Sequence, residues 1–199
     1  MFVFKITSHT TDASDASLAA FANLLAAYRL DGHILGKGLI TVSLAQRFAN
    51  SALVPAADAF EPRFQNKWLQ QRIEELRPAG LREPEFSLIG NDASEPDGCQ
   101  CSDAPSLILF TTYVQLQSPV RCGACFQPIP LYRLPRFKSE EFYEMISWAD
   151  DYKACDTLFM NSSTGERFGY REMSRVDSSL SRHGRDTCRY MEKHSGTLQ

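Results

Sequence analysis

Residues 99–125 read CQCSDAPSLILFTTYVQLQSPVRCGAC, and this stretch decides how we interpret the chain. It opens with a C-x-C pair at 99–101 and closes with a C-x-x-C pair at 122–125, with 20 residues between the two pairs. The run at 107–116 is rich in apolar and β-branched residues and predicts the strongest β-strand of the chain. Two short thiol pairs joined through a strand are typical of a zinc ribbon, in which four cysteines hold one ion.

The four paired thiols are candidate ligands of a structural zinc ion: Cys99, Cys101, Cys122 and Cys125. Four protein ligands leave no coordination position for water, and a closed site of this kind is structural rather than catalytic. Three alternatives remain open, namely a redox-active C-x-x-C motif, disulfides between the pairs and an iron–sulfur cluster. The redox alternative is disfavoured because Pro128 and Pro130 prevent a helix from starting just after the second pair.

The composition is that of a globular protein. The 199 residues are 43% hydrophobic and carry a formal net charge of −3, which gives the whole chain no electrostatic footprint for general nucleic-acid binding. The apolar start is too short for a signal sequence, and no stretch approaches the roughly 20 apolar residues that span a bilayer. We therefore expect a cytoplasmic protein without a membrane partner, in which metal binding is a more natural use of paired cysteines than disulfides.

Predicted β-strands and α-helices alternate along the chain. Further strands are predicted at Phe2–Ile6, Gly38–Leu44 and Phe86–Ile89. Four helices are predicted from the helical spacing of apolar residues. The first contains Leu18, Phe21, Leu25 and Tyr28, and the second, within 62–77, contains Trp68, Leu69, Ile73 and Leu76. The third follows a Ser139 cap and contains Phe142, Met145, Ile146 and Ala149, and the fourth covers 177–194.

These elements predict an α+β fold with a mixed sheet, packed helices and a small zinc ribbon. Asp, Ser, Pro and Gly dominate residues 91–105, which we interpret as the loop that opens the ribbon. We divide the chain into an N-terminal α+β part at 1–90, a zinc-ribbon segment at 91–135 and a C-terminal helical part of the same domain at 136–199.

Catalytic motifs are scarce. Cys155 and Cys188 are interpreted as core thiols, because each falls in or near a predicted helix. A nucleophile built from Cys155 and His183 remains an alternative, although no oxyanion or orienting motif accompanies them. The chain is therefore predicted not to be an enzyme and to have no small-molecule substrate.

Residues 118–138 carry four positive charges, no acidic residue and several aromatic side chains. Rings that stack on bases and cations that meet phosphates are the general means of single-strand binding. The nucleic-acid-binding candidates are Arg121, Phe126, Tyr132, Arg133, Arg136 and Lys138. A competing interpretation makes 129–134 a core strand with arginines at its rim. The alternative partner is another protein, such as a toxin that this chain neutralises as an immunity protein, which fits the acidic net charge.

Several motifs resemble one family of uncharacterised bacterial proteins. They are the two cysteine pairs, LFTT at 109–112, SPVRCGACF at 118–126, PLYRLP at 130–135, WADDY at 148–152, ACD at 154–156 and GRDTC at 184–188. The family is described as zinc-ribbon-containing, with nucleic-acid binding suggested, so the resemblance implies zinc on the four paired cysteines and no established activity. Similar proteins continue beyond Gly196-Thr197 into a tyrosine-rich strand. We expect that strand to be missing or divergent here, which would leave a sheet edge open for a partner strand.

Overall fold

The computed structural model describes residues 1–36, 40–92, 98–102, 104–136 and 141–195. Its elements are β1 (Phe2–His9), α1 (Asp15–Leu30), β2 (Thr41–Leu44), β3 (Arg47–Val54), α2 (Lys67–Glu74), β4 (Glu85–Asn91), β5 (Leu107–Leu109), β6 (Val120–Cys122), α3 (Tyr143–Asn161), α4 (Glu166–Ser174) and α5 (Ser179–Ser195), with short 3-10 helices at Pro62–Phe64 and Leu131–Arg133. The chain divides into two compact units. Unit 1 comprises Met1–Gly98 with Pro130–Arg133, and unit 2 comprises Cys99–Ile129 with Leu134–Gln199. The three-part division made from the sequence stays a prediction.

Unit 1 is built on a four-stranded sheet in the order β2-β3-β1-β4. The central strand β1 pairs antiparallel with β3, where Phe2 lies opposite Val54, and antiparallel with β4, where Phe2 lies opposite Asn91. The elements follow one another as β1-α1-β2-β3-α2-β4, and with this strand order they form the split β-α-β arrangement of ferredoxin-like folds. Together with the helices of unit 2, this sheet confirms the α+β prediction.

Helix α1 packs its apolar face on the sheet of unit 1. The Ser14 hydroxyl caps the first turn by accepting a hydrogen bond from the Ser17 N–H. The buried core that includes this face consists of Phe21, Leu24, Leu25 and Tyr28 together with Ile6, Phe48 and neighbouring side chains. The predicted helix is thus confirmed, but Leu18 is exposed because the buried stripe runs through Leu24 instead.

Unit 2 combines the antiparallel hairpin β5-β6 with the helices α3, α4 and α5. Trp148, Cys155 and Leu180 are among the buried residues of its core. Helix α4 approaches α3 closely at Gly169, where an added Cβ would lie 2.3 Å from the carbonyl oxygen of Cys155. Within the described ranges, no helix combines the length and the apolar character needed to cross a bilayer.

The strand predicted at 107–116 is wrong beyond Leu109, where β5 ends. A turn follows, in which the Gln115 N–H donates to the Thr112 carbonyl at 3.1 Å. The side-chain amide of Gln115 then donates to the side chain of Gln117 at 3.2 Å, and both side chains are buried. Local polar contacts therefore override the β propensity of this stretch.

Other predicted boundaries also differ. The helix predicted within 62–77 splits into a 3-10 turn and α2, because the Asn66 side chain accepts the Leu69 N–H at 2.7 Å and begins a new helix there. Strand β3 and helix α4 were not predicted, and the segment interpreted as a possible strand at 129–134 contains the 3-10 helix Leu131–Arg133 instead. The strands predicted near the N-terminus and at 86–89 are confirmed in β1 and β4, and the last two predicted helices are α3 and α5. Gly38 and Ser139 lie outside the described residues.

Candidate metal centre

The four cysteines of the two predicted pairs lie together in unit 2. Cys99 and Cys101 precede β5, Cys122 ends β6, and Cys125 lies in the turn that follows. Their sulfur atoms all lie within 4.8 Å of one another. The sulfurs of Cys125 and Cys99 are 3.5 Å apart. The fold therefore gathers a cluster of four thiols that could hold a metal ion.

Backbone hydrogen bonds fix the two pairs against each other. The Cys99 N–H donates to the Pro128 carbonyl at 2.9 Å, and the Cys122 N–H donates to the Gln127 carbonyl at 3.0 Å. Both halves of the cluster are thus bonded to the segment that follows Cys125. The main chain itself brings the first pair to the second, so the cluster does not depend on side-chain packing alone.

The turn at 122–126 requires special backbone positions. The Phe126 N–H donates to the Cys122 carbonyl at 2.8 Å, and Phe126 adopts a φ of 59°, which is uncommon for an aromatic residue. Gly123 packs directly on the start of β5, since an added Cβ would lie 1.9 Å from the Ser106 hydroxyl. The sequence motif C-G-A-C therefore includes glycine where the turn has no room for a side chain.

The thiols change one another's acidity. The N–H groups of Cys125 and Ala124 donate to the Cys122 sulfur and lower its pKa to about 7. At Cys101 the neighbouring sulfurs, first that of Cys125 and then that of Cys99, raise the pKa to about 12. Clustered thiolates repel one another unless a cation lies between them, and a bound metal ion favours the thiolate form of each ligand.

The donor set fits a single tetrahedral ion. With zinc–sulfur bonds of about 2.3 Å, tetrahedral geometry places neighbouring sulfurs about 3.8 Å apart. Sulfurs that already lie within 4.8 Å of one another need only small movements to reach that geometry. All four donors are soft sulfur atoms, which is the ligand type of tetrahedral zinc and iron–sulfur sites.

The residues predicted to contact nucleic acid are distributed over both units. Tyr132 and Arg133 belong to unit 1, Arg121, Phe126 and Arg136 belong to unit 2, and Lys138 lies outside the described residues. Tyr132 is buried, its ring stacks on His33 at 4.7 Å, and its hydroxyl donates to Asp58 at 2.8 Å. Arg133 pairs with the same carboxylate at 2.7 Å. Both side chains thus have partners within unit 1.

Arg121 and Phe126 contact each other in unit 2. The Arg121 guanidinium is buried, donates to the Gln117 side chain at 2.6 Å and lies 5.7 Å from the centre of the Phe126 ring. Phe126 itself is 48% exposed. The Arg136 guanidinium lies 5.6 Å from the centre of the Phe142 ring. Nucleic-acid binding by these residues stays a prediction.

The two remaining cysteines differ from each other. Cys155 is buried in α3, as expected of a core thiol, and burial raises its pKa. Cys188 is exposed, so the prediction of a core thiol is wrong at that position. Its neighbour Thr187 is buried instead, because the buried stripe of α5 turns away from Cys188. His183, considered as a partner of Cys155, lies 3.2 Å from Glu144.

A buried polar network in unit 1 was not predicted. The His33 ring contacts the Ala59 carbonyl through Nδ1, and its Nε2 lies 2.9 Å from the Asp31 carboxylate. The Asn66 amide donates to the other oxygen of Asp31 at 3.1 Å. Asp31 and His33 flank Gly32 just after α1, and this run of polar residues behind an amphipathic helix was the signal available in the sequence.

The structure thus defines an α+β chain that carries a cluster of four thiols in its second unit. The two halves of the chain match two family models. Residues 1–90 match "Domain of unknown function (DUF8589)", and residues 101–198 match "Domain of unknown function (DUF2310)". One uncharacterised protein of Haemophilus influenzae is 30% identical over 173 residues, which are 85% of this chain and 66% of the relative. Another from the same organism is 33% identical over 111 residues, which are 56% of this chain and 55% of the relative.

These matches support an uncharacterised bacterial family. The chain spans 66% and 55% of the lengths of the two relatives. Neither the descriptions of the family models nor the names of the relatives mention zinc or nucleic acid.

One solved structure also resembles the chain. It is SnoaB, described as a cofactor-independent oxygenase from Streptomyces nogalater, and the match covers 48% of this chain and 96% of SnoaB at 16% identity with a TM-score of 0.36. The prediction that the chain is not an enzyme is corrected by this likeness to an enzyme and is withdrawn. A likeness this distant assigns no reaction to the chain.

Proposed function

We propose that this chain binds one zinc ion through Cys99, Cys101, Cys122 and Cys125, and that the ion holds the ribbon of unit 2 together. The observation that carries the proposal is the meeting of four sulfurs within 4.8 Å from two pairs far apart in sequence. Four thiolates complete a tetrahedral shell, so the ion serves structure at this site.

Zinc is favoured over the other uses of paired cysteines. An iron–sulfur cluster distributes four cysteines over two or four irons, which holds sulfurs on different irons farther apart than the ligands of one ion, so four sulfurs this close together favour a single ion. The thiols are free in the structure, as metal ligands must be. A reducing compartment such as the cytoplasm keeps thiols in this state, and we propose that location.

The proposed role of the ion is to join two ends of the ribbon. The segment at 98–102 carries two ligands and the turn at 122–125 carries the other two, with β5 and β6 between them. Because zinc binds the folded arrangement and releases protons from the thiols, its binding free energy adds to the folding free energy of this region.

Metal analysis of the purified chain tests this proposal. Protein prepared under reducing conditions should contain about one zinc per chain, as expected for a site of four cysteines. Cys122→Ser should lose most of the zinc, because Cys122 ends β6 and is the buried member of the four thiols. Cys188→Ser is the matched control, since this exposed thiol lies in α5. Iron in place of zinc, or equal zinc in both variants, would contradict the proposal.

We further propose nucleic acid as the first candidate partner of the ribbon, with another protein as the alternative. Support comes from Phe126, an exposed ring at the end of the turn that carries Cys122 and Cys125, held in an unusual backbone conformation. Such conformations are retained where the surrounding structure enforces them, and they occur often at functional sites. A ring in this position could stack on an unpaired base.

A further inference from the structure

The thiols of the cluster differ in their exposure to solvent. Cys101 and Cys125 are exposed and Cys99 is half-buried, whereas Cys122 is buried. Oxidants react with the thiolate form of cysteines that solvent reaches, and a metal ligand is already a thiolate. This cluster therefore offers an oxidant accessible sulfur atoms, which a metal site enclosed in a core would not do.

One exposed sulfur has a partner thiol in contact with it. The Cys125 sulfur lies 3.5 Å from the Cys99 sulfur, although the two residues are 26 positions apart in sequence. The Cys101 and Cys122 sulfurs also lie within 4.8 Å of the Cys125 sulfur. Cys122 is buried and accepts the N–H groups of Cys125 and Ala124 inside the turn, and the direct sulfur contact of Cys125 is with Cys99. The contacts therefore favour a disulfide between the two pairs over one within the C-G-A-C turn.

We propose that a peroxide oxidises Cys125 and Cys99 to a disulfide and thereby releases the metal ion, so that the ribbon responds to oxidants. This inference rests on the proposed zinc site. Two of the four ligands are lost in the reaction, and the two thiols left on Cys101 and Cys122 cannot complete a tetrahedral shell. A thiol reductant reverses the change by reducing the disulfide, after which zinc can bind again.

The chemistry balances with peroxide as the oxidant. The Cys125 thiolate attacks one peroxide oxygen, the O–O bond breaks, hydroxide leaves, and the sulfur becomes a sulfenic acid. The Cys99 thiolate then attacks that sulfur, so that an S–S bond forms, the S–O bond breaks and a second hydroxide leaves. Each sulfur loses one electron, and the peroxide takes up both.

The test uses the full chain loaded with zinc and treated with hydrogen peroxide. A colorimetric chelator measures the released ion, and mass spectrometry of peptides prepared without reductant identifies the disulfide. We expect about one zinc ion released for each peroxide consumed, as the two-thiolate stoichiometry requires. The main cross-linked peptides should join Cys125 to Cys99. Dithiothreitol followed by fresh zinc should restore the bound metal.

Two variants with three thiols each provide a matched comparison. Cys101→Ser keeps the reacting pair and should still form the disulfide between Cys125 and Cys99 with peroxide. Cys125→Ser should form a disulfide within the cluster at least about tenfold more slowly, because the thiolate that attacks the peroxide is lost. Release with a disulfide inside the C-G-A-C turn, or zinc that stays bound while only Cys188 is oxidised, would overturn this inference and leave the zinc site standing. Protein that contains no zinc before oxidation would overturn both.

Discussion

Gly169→Ala should destabilise unit 2 through a clash between two helices. The added Cβ would lie 2.3 Å from the carbonyl oxygen of Cys155 and 3.0 Å from the backbone nitrogen of Phe159. Overpacking of this kind costs about 1–3 kcal/mol, and the upper end applies because backbone atoms cannot rotate away as a side chain can. Alanine is the better helix former by about 1 kcal/mol, which offsets part of the loss. We expect a net destabilisation of about 2 kcal/mol.

Urea unfolding followed by circular dichroism measures this effect. A loss of about 2 kcal/mol should lower the midpoint without changing the slope, and should lower the thermal midpoint by about 4–8 °C for a protein of this size. Gly90→Ala in β4 is the control, because no atom lies within 4 Å of an added Cβ there. Its free energy of unfolding should change by less than about 0.5 kcal/mol. If both variants unfold like the wild type, the close approach of α4 to α3 is refuted.

Three further predictions concern Tyr132 and Asp58 in unit 1 and Phe126 in unit 2. Tyr132→Phe removes the hydrogen bond to Asp58 and should destabilise the protein by about 1 kcal/mol in urea unfolding. Burial alone would raise the pKa of Asp58, but Tyr132 and Arg133 outweigh it and lower the pKa below 3.8. The resulting stabilisation is fully present above pH 3.8 and is lost as the pH falls through the lowered pKa of Asp58. The free energies of unfolding of wild type and Tyr132→Phe, measured in urea at decreasing pH, should therefore converge below that pKa. Phe126→Ala should weaken binding to a single-stranded oligonucleotide in a gel-shift assay by about 1–3 kcal/mol, and equal affinities would remove the ring from the proposed interface.

The cluster of thiols could be predicted because its information is local. A C-x-C and a C-x-x-C pair each direct two sulfurs at one point, and the glycine of the second pair lies where the turn touches Ser106. The spacing could not show which sulfurs remain exposed or that Cys99 and Cys125 are in contact. Those features depend on the hydrogen bonds that join 99 to 128 and 122 to 127 across the hairpin.

The prediction of secondary structure from the sequence failed where distant or polar contacts override local propensity. β5 ends at Leu109 because Gln115 and Gln117 form a buried polar network in a stretch that sequence patterns favour as a strand. The helix predicted within 62–77 is interrupted at Asn66, whose side chain caps α2 and also bonds Asp31 from 35 residues away. Neither effect has a signature in the spacing of apolar residues.

The basic and aromatic stretch at 118–138 shows how one composition can serve two purposes. Tyr132 and Arg133 both bind the carboxylate of Asp58, which lies 74 and 75 residues before them. These contacts help fix the segment at 130–133 within unit 1. The presence of both residues in the stretch therefore has a sufficient explanation in folding.

Phe126 is explained less completely by its contacts within the chain. Its ring lies beside the Phe110 ring and the Arg121 guanidinium, yet 48% of the residue remains exposed. Its left-handed backbone conformation disfavours a large side chain, and a glycine would suit the turn better. Because half of the residue faces solvent at a backbone position that costs free energy, the gel-shift comparison of Phe126→Ala with the wild type tests whether its exposed face serves a partner.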